Sequence, residues 1–181
     1  MAERTFSKVS PALWTSRRFR GVGAEARLYY LYLLTNAHID STGCYRLPDA
    51  YACADCGINA DTHLAVTAEL TAADMIALDD GYVLVRRWFK HNPPTNLDYA
   101  EGVKRRIVLI ESDVLREECE AAFLEAEAAL NDRLERIAQA KTDKALKAKL
   151  RLAHSQDSPT SAQYGSADLT RTRFFNGGSR G

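Results

Sequence analysis

"PDAYACADCGINADTH", residues 48–63, is the stretch on which the fold turns. Pro48 suits the first turn of a helix, where its missing N–H costs nothing. Gly57 suits the left-handed residue that ends one. Asn59 then reads as the N-cap of a further helix over 60–74, its side-chain oxygen taking the backbone N–H of Asp61 or Thr62. Asp61 falls in the first turn, where the helix dipole favours an acid. The stretch is the bend of a helix-turn-helix.

The same residues carry Cys53 and Cys56 at C-x-x-C spacing, and two other chemistries use that spacing. A structural zinc needs four ligands. Cys44 and either His38 or His63 would have to complete the set, and the chain offers no second C-x-x-C or paired histidines. A redox pair opens a helix, where the dipole lowers the thiol pKa, whereas this pair closes one. Both thiols are therefore expected to pack in the core as small apolar groups, with no metal and no cofactor.

Outward from the bend, "AEARLYYLYLLTNA" (24–37) sets Ala26, Tyr29, Tyr30, Leu33 and Leu34 on one helical face, with Gly23 as N-cap. A short strand is expected at 44–47. Downstream, "MIALDDGYVLVRRWF" (75–89) places Asp80-Gly81, a hairpin turn signal, between two runs rich in β-branched and aromatic residues. The order helix, short strand, helix, turn, helix, β-hairpin is that of a winged helix. The "KHNPPTN" segment (90–96) ends the wing, because Pro93 and Pro94 continue neither ladder nor helix.

Beyond residue 96 the composition shifts to Ala, Leu, Glu, Lys and Arg. One helix is expected over 97–110 and a long one over 113–152, with Ser112 as N-cap. Phe123, Ala126, Leu130, Leu134 and Ile137 make an amphipathic stripe, which serves either packing on the domain or a self-association seam. Acids outnumber bases 9 to 2 over 111–135, and bases outnumber acids 6 to 1 over 136–154, a polarity that complements the helix dipole. Residues 154–181 are small and polar and read as a disordered tail. The fold class is thus mainly α with a small β-hairpin: a winged helix-turn-helix domain (1–96), a helical extension (97–153) and a tail (154–181).

The 181 residues are 46% hydrophobic, enough for a core, and carry no net charge. There is no global basic field to draw the protein onto nucleic acid, so any phosphate contact must come from local clusters. No run approaches the roughly 18 apolar residues of a membrane span, and the first residues lack a secretory signal, so a cytoplasmic protein is expected. "GVGAEA" (21–26) matches a loose dinucleotide pattern but follows no strand and sits in no βαβ unit. No nucleophile elbow, Walker loop or metalloprotease helix is present, and no catalytic residue is assigned.

Three basic runs remain: Arg17, Arg18 and Arg20; Arg86, Arg87, Lys90 and His91; and Lys104, Arg105 and Arg106. Each is short, and the first two sit beside aromatic residues. In a winged helix the wing is a place where phosphates are met. The third helix of the domain offers Asn59 and Thr62, and His63 less directly, to base edges. It has no Lys or Arg from 59 to 75 and carries Asp61, Glu69 and Asp74.

Together, "SPALWTSRRF", "GAEARLYYLYLLTNAHIDSTGCYRLP", "AYACADCGINADTHLAVTAELTAADMI" and "VRRWFKHNPPTNLDYAEGVKR" resemble the N-terminal winged-helix domain of phage and prophage replisome organisers, the DnaD-type replication initiation proteins. The most specific piece is Trp88 to Pro94 with Asn96 and Gly102 behind it, and the resemblance covers about residues 5–110. Leu47 and Pro48 open the second helix, and Gly57 is the turn glycine. Cys53 and Cys56 stand where the family pattern has alanine and leucine. The resemblance implies binding to double-stranded and also single-stranded DNA, self-association (here through the 113–152 helix), contact with a replicative helicase or its loader, and residence in the bacterial host cytoplasm. The alternatives are a winged-helix protein-interaction adaptor and a transcriptional regulator.

Overall fold

In the computed structural model, residues 7–156 are described, with side chains to 151. A 3-10 turn (Pro11–Thr15) leads into α1 (Arg17–Gly21) and α2 (Ala24–Thr35). Then come β1 (Cys44–Arg46), α3 (Asp49–Cys56), α4 (Ala60–Ala72), β2 (Ile76–Asp79), β3 (Tyr82–Val85), α5 (Trp88–His91), α6 (Leu97–Ile107) and α7 (Asp113–Gln156). This is a winged helix followed by a long C-terminal helix.

The bend forms as its residues dictate. Gly57 ends α3 at φ 64°, and the Asn59 side chain accepts the Thr62 N–H at 2.8 Å. At the hairpin tip Asp80 (φ 45°) and Gly81 (φ 73°) are both left-handed, the requirement of a two-residue turn that matches strand twist. The sheet is larger than a lone hairpin. β1 pairs antiparallel with β3 (Cys44 opposite Leu84), so β3 lies between β1 and β2. Side chains also fasten β1 to α2: the Tyr45 hydroxyl donates to the Leu33 carbonyl at 2.6 Å and accepts from Asn36 Nδ2 at 2.8 Å.

Three local expectations are corrected. The α3 residue buried against the neighbouring helices is Ala52, while Cys53 and Cys56 are only half-buried; the deeply buried thiols are Cys44 and Cys119. Eight residues make little more than two turns, so α3 buries a narrow stripe, and Ala52 lies on it. His63, considered for base contact, is 6% exposed, and its Nε2 lies 2.9 Å from the Tyr29 hydroxyl. Trp88 and Phe89, read with the hairpin run, and Lys90 and His91, expected to end the wing, together form the short helix α5.

The "WFKHNPP" segment works as a joint. Trp88 Nε1 donates to the Ser41 carbonyl at 2.9 Å, Phe89 meets Phe123 edge to face at 5.3 Å, and Pro94 is fully buried. Gly43 is left-handed (φ 69°), and a Cβ there would lie 2.3 Å from Trp88 Cγ. The indole therefore rests directly on backbone, a position only glycine allows.

The chain divides into two units, Met1–Ile137 and Ala138–Gly181. In the first, the core does not end at residue 96. It takes in Ala100, Val103 and Ile107 of α6 and Leu115, Cys119, Phe123 and Leu130 of α7. Most of the amphipathic stripe thus packs on the domain: Phe123 and Leu130 are buried, Ala126 and Leu134 half-buried, and Ile137 exposed. In the second unit α7 continues to Gln156, and its side chains from 138 to 151 are exposed. The expected tail lies, from residue 157 on, outside the described residues. No described helix is long and apolar enough to cross a membrane.

Candidate nucleic-acid interface

Folding brings together two of the three basic runs. Arg18 from α1, Arg86 and Arg87 from the β3–α5 junction, and Lys90 and His91 from α5 line one cleft of about 240 Å³. Lys8 from the N-terminal segment joins them at its rim, and Leu13, Tyr30, Leu34, Met75 and Trp88 supply apolar wall.

The hub of this cluster is Asp74, just past α4. Its carboxylate receives Arg86 Nη1 at 2.5 Å and Arg18 Nη2 at 3.0 Å, with Arg87 Nη2 at 3.7 Å. Arg86 is committed twice, since Nε and Nη2 also reach the two oxygens of Glu118 on α7 at 2.8 and 3.2 Å. Glu118 first, and Asp74 with it, hold the Arg86 guanidinium above its ordinary pKa, against a partial burial that works the other way. Such a two-sided fork rivets the end of β3 to α4 and α7. The pairs from Arg18 and Arg87 have more than a third of each side chain in solvent and contribute about 0–1 kcal/mol each.

Two backbone positions at this cluster are unusual. Asp74 (φ 57°) and Arg87 (φ 64°) are left-handed without being glycine. Aspartate tolerates that region through local hydrogen bonding, whereas arginine at φ > 0 costs about 1–2 kcal/mol. The fold accepts this where the guanidinium of Arg87 turns toward Asp74. Arg18 carries a second oddity: its Nη1 is the buried side-chain polar atom without a hydrogen-bond partner among the described residues.

The other sequence candidates fall elsewhere. Arg17 and Arg20 are exposed on α1, beside the cleft in sequence but not among its lining residues. The third basic run occupies the last turn of α6, where cations suit the helix dipole. There Lys104 reaches Glu127 at 2.6 Å and Glu101 at 3.1 Å, contacts that raise its pKa, Glu127 the more. Arg106 reaches Asp40 at 3.5 Å, and Arg105 is exposed. Asn59 and Thr62 meet each other in the N-cap of α4. The solvent-facing side of α4 is Asp61, Leu64, Ala65 and Ala68, with no cation.

Two of the acids in and just past α4 have roles in the fold. Glu69 Oε1 accepts the Gly23 N–H at 2.7 Å, so this carboxylate sits at the N-terminus of α2. Asp74 gathers the arginines. Sequence reading missed Asp74, Glu118 and Lys8 as members of the cluster. A signal was present for Asp74: an acid just past a helix C-terminus opposes the dipole unless cations neutralise it.

Among the described residues no group of three or more His, Cys, Asp or Glu side chains is placed to hold a metal ion. His38 stacks on Tyr51, with ring centroids 5.5 Å apart. No protein-family model matches the chain, and no curated protein or solved structure matches it either.

Proposed function

We propose that this chain is a non-enzymatic DNA-binding protein acting in replication initiation, of the kind its resemblance to phage replisome organisers implies. The observation that carries the DNA-binding part is the convergence of Arg18, Arg86, Arg87, Lys90 and His91 at the base of the wing of a winged helix. A chain without net charge gains phosphate affinity only where cations outnumber acids locally, and they do so here. Arg17 and Arg20 on α1 and Arg105 on α6, all exposed and outside the cleft, are further cations open to phosphate. Arg86, already held by two carboxylates, supports the site more than it grips DNA. The replication role rests on the resemblance of residues 88–94 and their flanks.

Fluorescence anisotropy with labelled duplex and single-stranded DNA, titrated against salt, tests this reading. About 4–6 phosphate contacts give a log–log slope near −4 to −5. A folded protein that binds neither DNA at 50 mM salt would end it.

One observation favours a second reading, a protein-interaction adaptor. The exposed face of α4, with Leu64 at 64% exposure beside Ala65 and Ala68, suits an apolar partner better than a base edge. Charge reversal at Arg87 and Lys90 separates the two: loss of DNA binding supports the first reading, and loss of partner capture with DNA binding intact supports the second.

A further inference from the structure

The cleft at the wing base has features that a groove following a phosphodiester backbone does not need. It is concave and has an apolar wall formed by Leu13, Tyr30, Leu34, Met75 and Trp88. Three of its cations, Arg18, Arg86 and Arg87, converge on one point instead of lying in a row. Three arginines surround the Asp74 carboxylate, which occupies the place of a bound oxyanion within the fold itself. With Lys8 and Lys90, five cationic side chains line the cleft, against Asp74 and, behind Arg86, Glu118. The cluster keeps a surplus of cations after both acids are satisfied. Arg18 lines the cleft with one guanidinium nitrogen on Asp74, while its Nη1 is buried without a partner among the described residues, a costly state for a charged donor. The left-handed Arg87 adds a strained residue at the same spot, and such residues gather where ligands are held.

We infer that this cleft binds one nucleoside monophosphate unit, free or at the end of a DNA strand, with its phosphate on Arg18, Arg87 and Lys90 and its base or sugar against the apolar wall. A phosphate monoester carries about −1.5 to −2 charge, which matches the cation surplus better than the single charge of a phosphodiester. A volume of about 240 Å³ is below the roughly 300–1,000 Å³ of sites for drug-sized ligands, a size that excludes a dinucleotide. Asp74 competes with the ligand for the same guanidinium groups. The inference does not rest on duplex binding, because the ligand chemistry is complete within the cleft.

The test is calorimetric titration of the full chain with deoxyadenylate, with inorganic phosphate and with deoxyadenosine as controls. Deoxyadenylate is expected to bind at least about tenfold tighter than either control, because only it engages both arginines and apolar wall. Asp74→Asn removes the internal competitor and tightens binding. Arg87→Gly combined with Lys90→Gln keeps the fold and weakens binding about tenfold or more. A merely structural role for Asp74 gives no tightening. Deoxyadenylate that binds no tighter than phosphate, or equally to all three proteins, overturns the inference. A 5′-phosphorylated single strand that outbinds its 5′-hydroxyl twin assigns the ligand to a strand end, and equal binding assigns it to the free nucleotide. Circular duplex, which has no ends, reads DNA binding separately, so failure of one reading leaves the other measurable.

Discussion

The two ends of the helix-turn-helix unit differ in chemistry. At its start, α4 presents Asn59, Asp61, Thr62, Leu64 and Ala65, a face with one acid and no base, its cap donors and acceptors already used on each other. Just past its end, Asp74 draws in Arg18, Arg86 and Arg87. A helix-turn-helix is conventionally read through the first of these regions. Of the two regions, only the second carries cations. An element's position in a fold does not assign its task; the charge it places in solvent does.

Several substitutions break or sharpen this contrast. The largest effect is expected at the joint that carries the arginine side. Gly43→Ala drives a Cβ into Trp88 and forces alanine to φ > 0, so chemical denaturation should show a loss of about 3 kcal/mol or more. Arg86→Ala leaves Glu118 and Asp74 without their main partner. With Arg86 about one-third exposed, the expected loss is about 1–2 kcal/mol, smaller than for a fully buried pair. Asn59→Ala removes the α4 cap and should cost about 1 kcal/mol, while DNA affinity measured well below the melting temperature stays unchanged. Equal losses of DNA affinity in Asn59→Ala and in a cluster variant would erase the distinction between the two ends.

A smaller, chemical contrast concerns the thiols. Cys44 and Cys119 are deeply buried, and burial is the main cause that pushes Cys44 up to about 12 and raises Cys119 as well. Half-buried Cys53 and Cys56 should react with a thiol reagent at pH 8, whereas Cys44 and Cys119 should stay silent until the protein unfolds. The same burial favours the protonated thiol in the folded state. Its contribution is full below the unfolded thiol pKa near 9 and is lost as pH rises toward 12. Stability measured across that window should therefore fall with pH.

Much of the fold was legible because local chemistry and global packing agreed. Gly57, Asn59 and Asp80-Gly81 each demanded the backbone they adopt, and the 3-4 periodicity of α2 matched its buried face. The strand at 44–46 was expected but its place in the sheet was not, because the partner of Cys44–Arg46 is set by tertiary pairing with β3. The inward role of α7 was open in sequence, since a stripe of Phe123, Ala126, Leu130 and Leu134 reads alike whether it packs on a domain or on another copy. The arginine cluster was half legible. Its cations stood out as runs, but their convergence depends on a chain that returns from residue 18 to residue 86 through the hydrophobic core. Asp74, read in sequence as one more acid against DNA binding, is the residue that organises them.

The most direct test compares the salt dependence of DNA binding in two variants, Arg87→Gly with Lys90→Gln at the wing base and Ala65→Gln on the open face of α4. The wing-base variant should lose about two phosphate contacts and flatten the log–log slope by about 2, with the α4 variant keeping the slope of the unmodified protein. A slope that stays unchanged at the wing base, or drops only with the α4 substitution, would contradict the account.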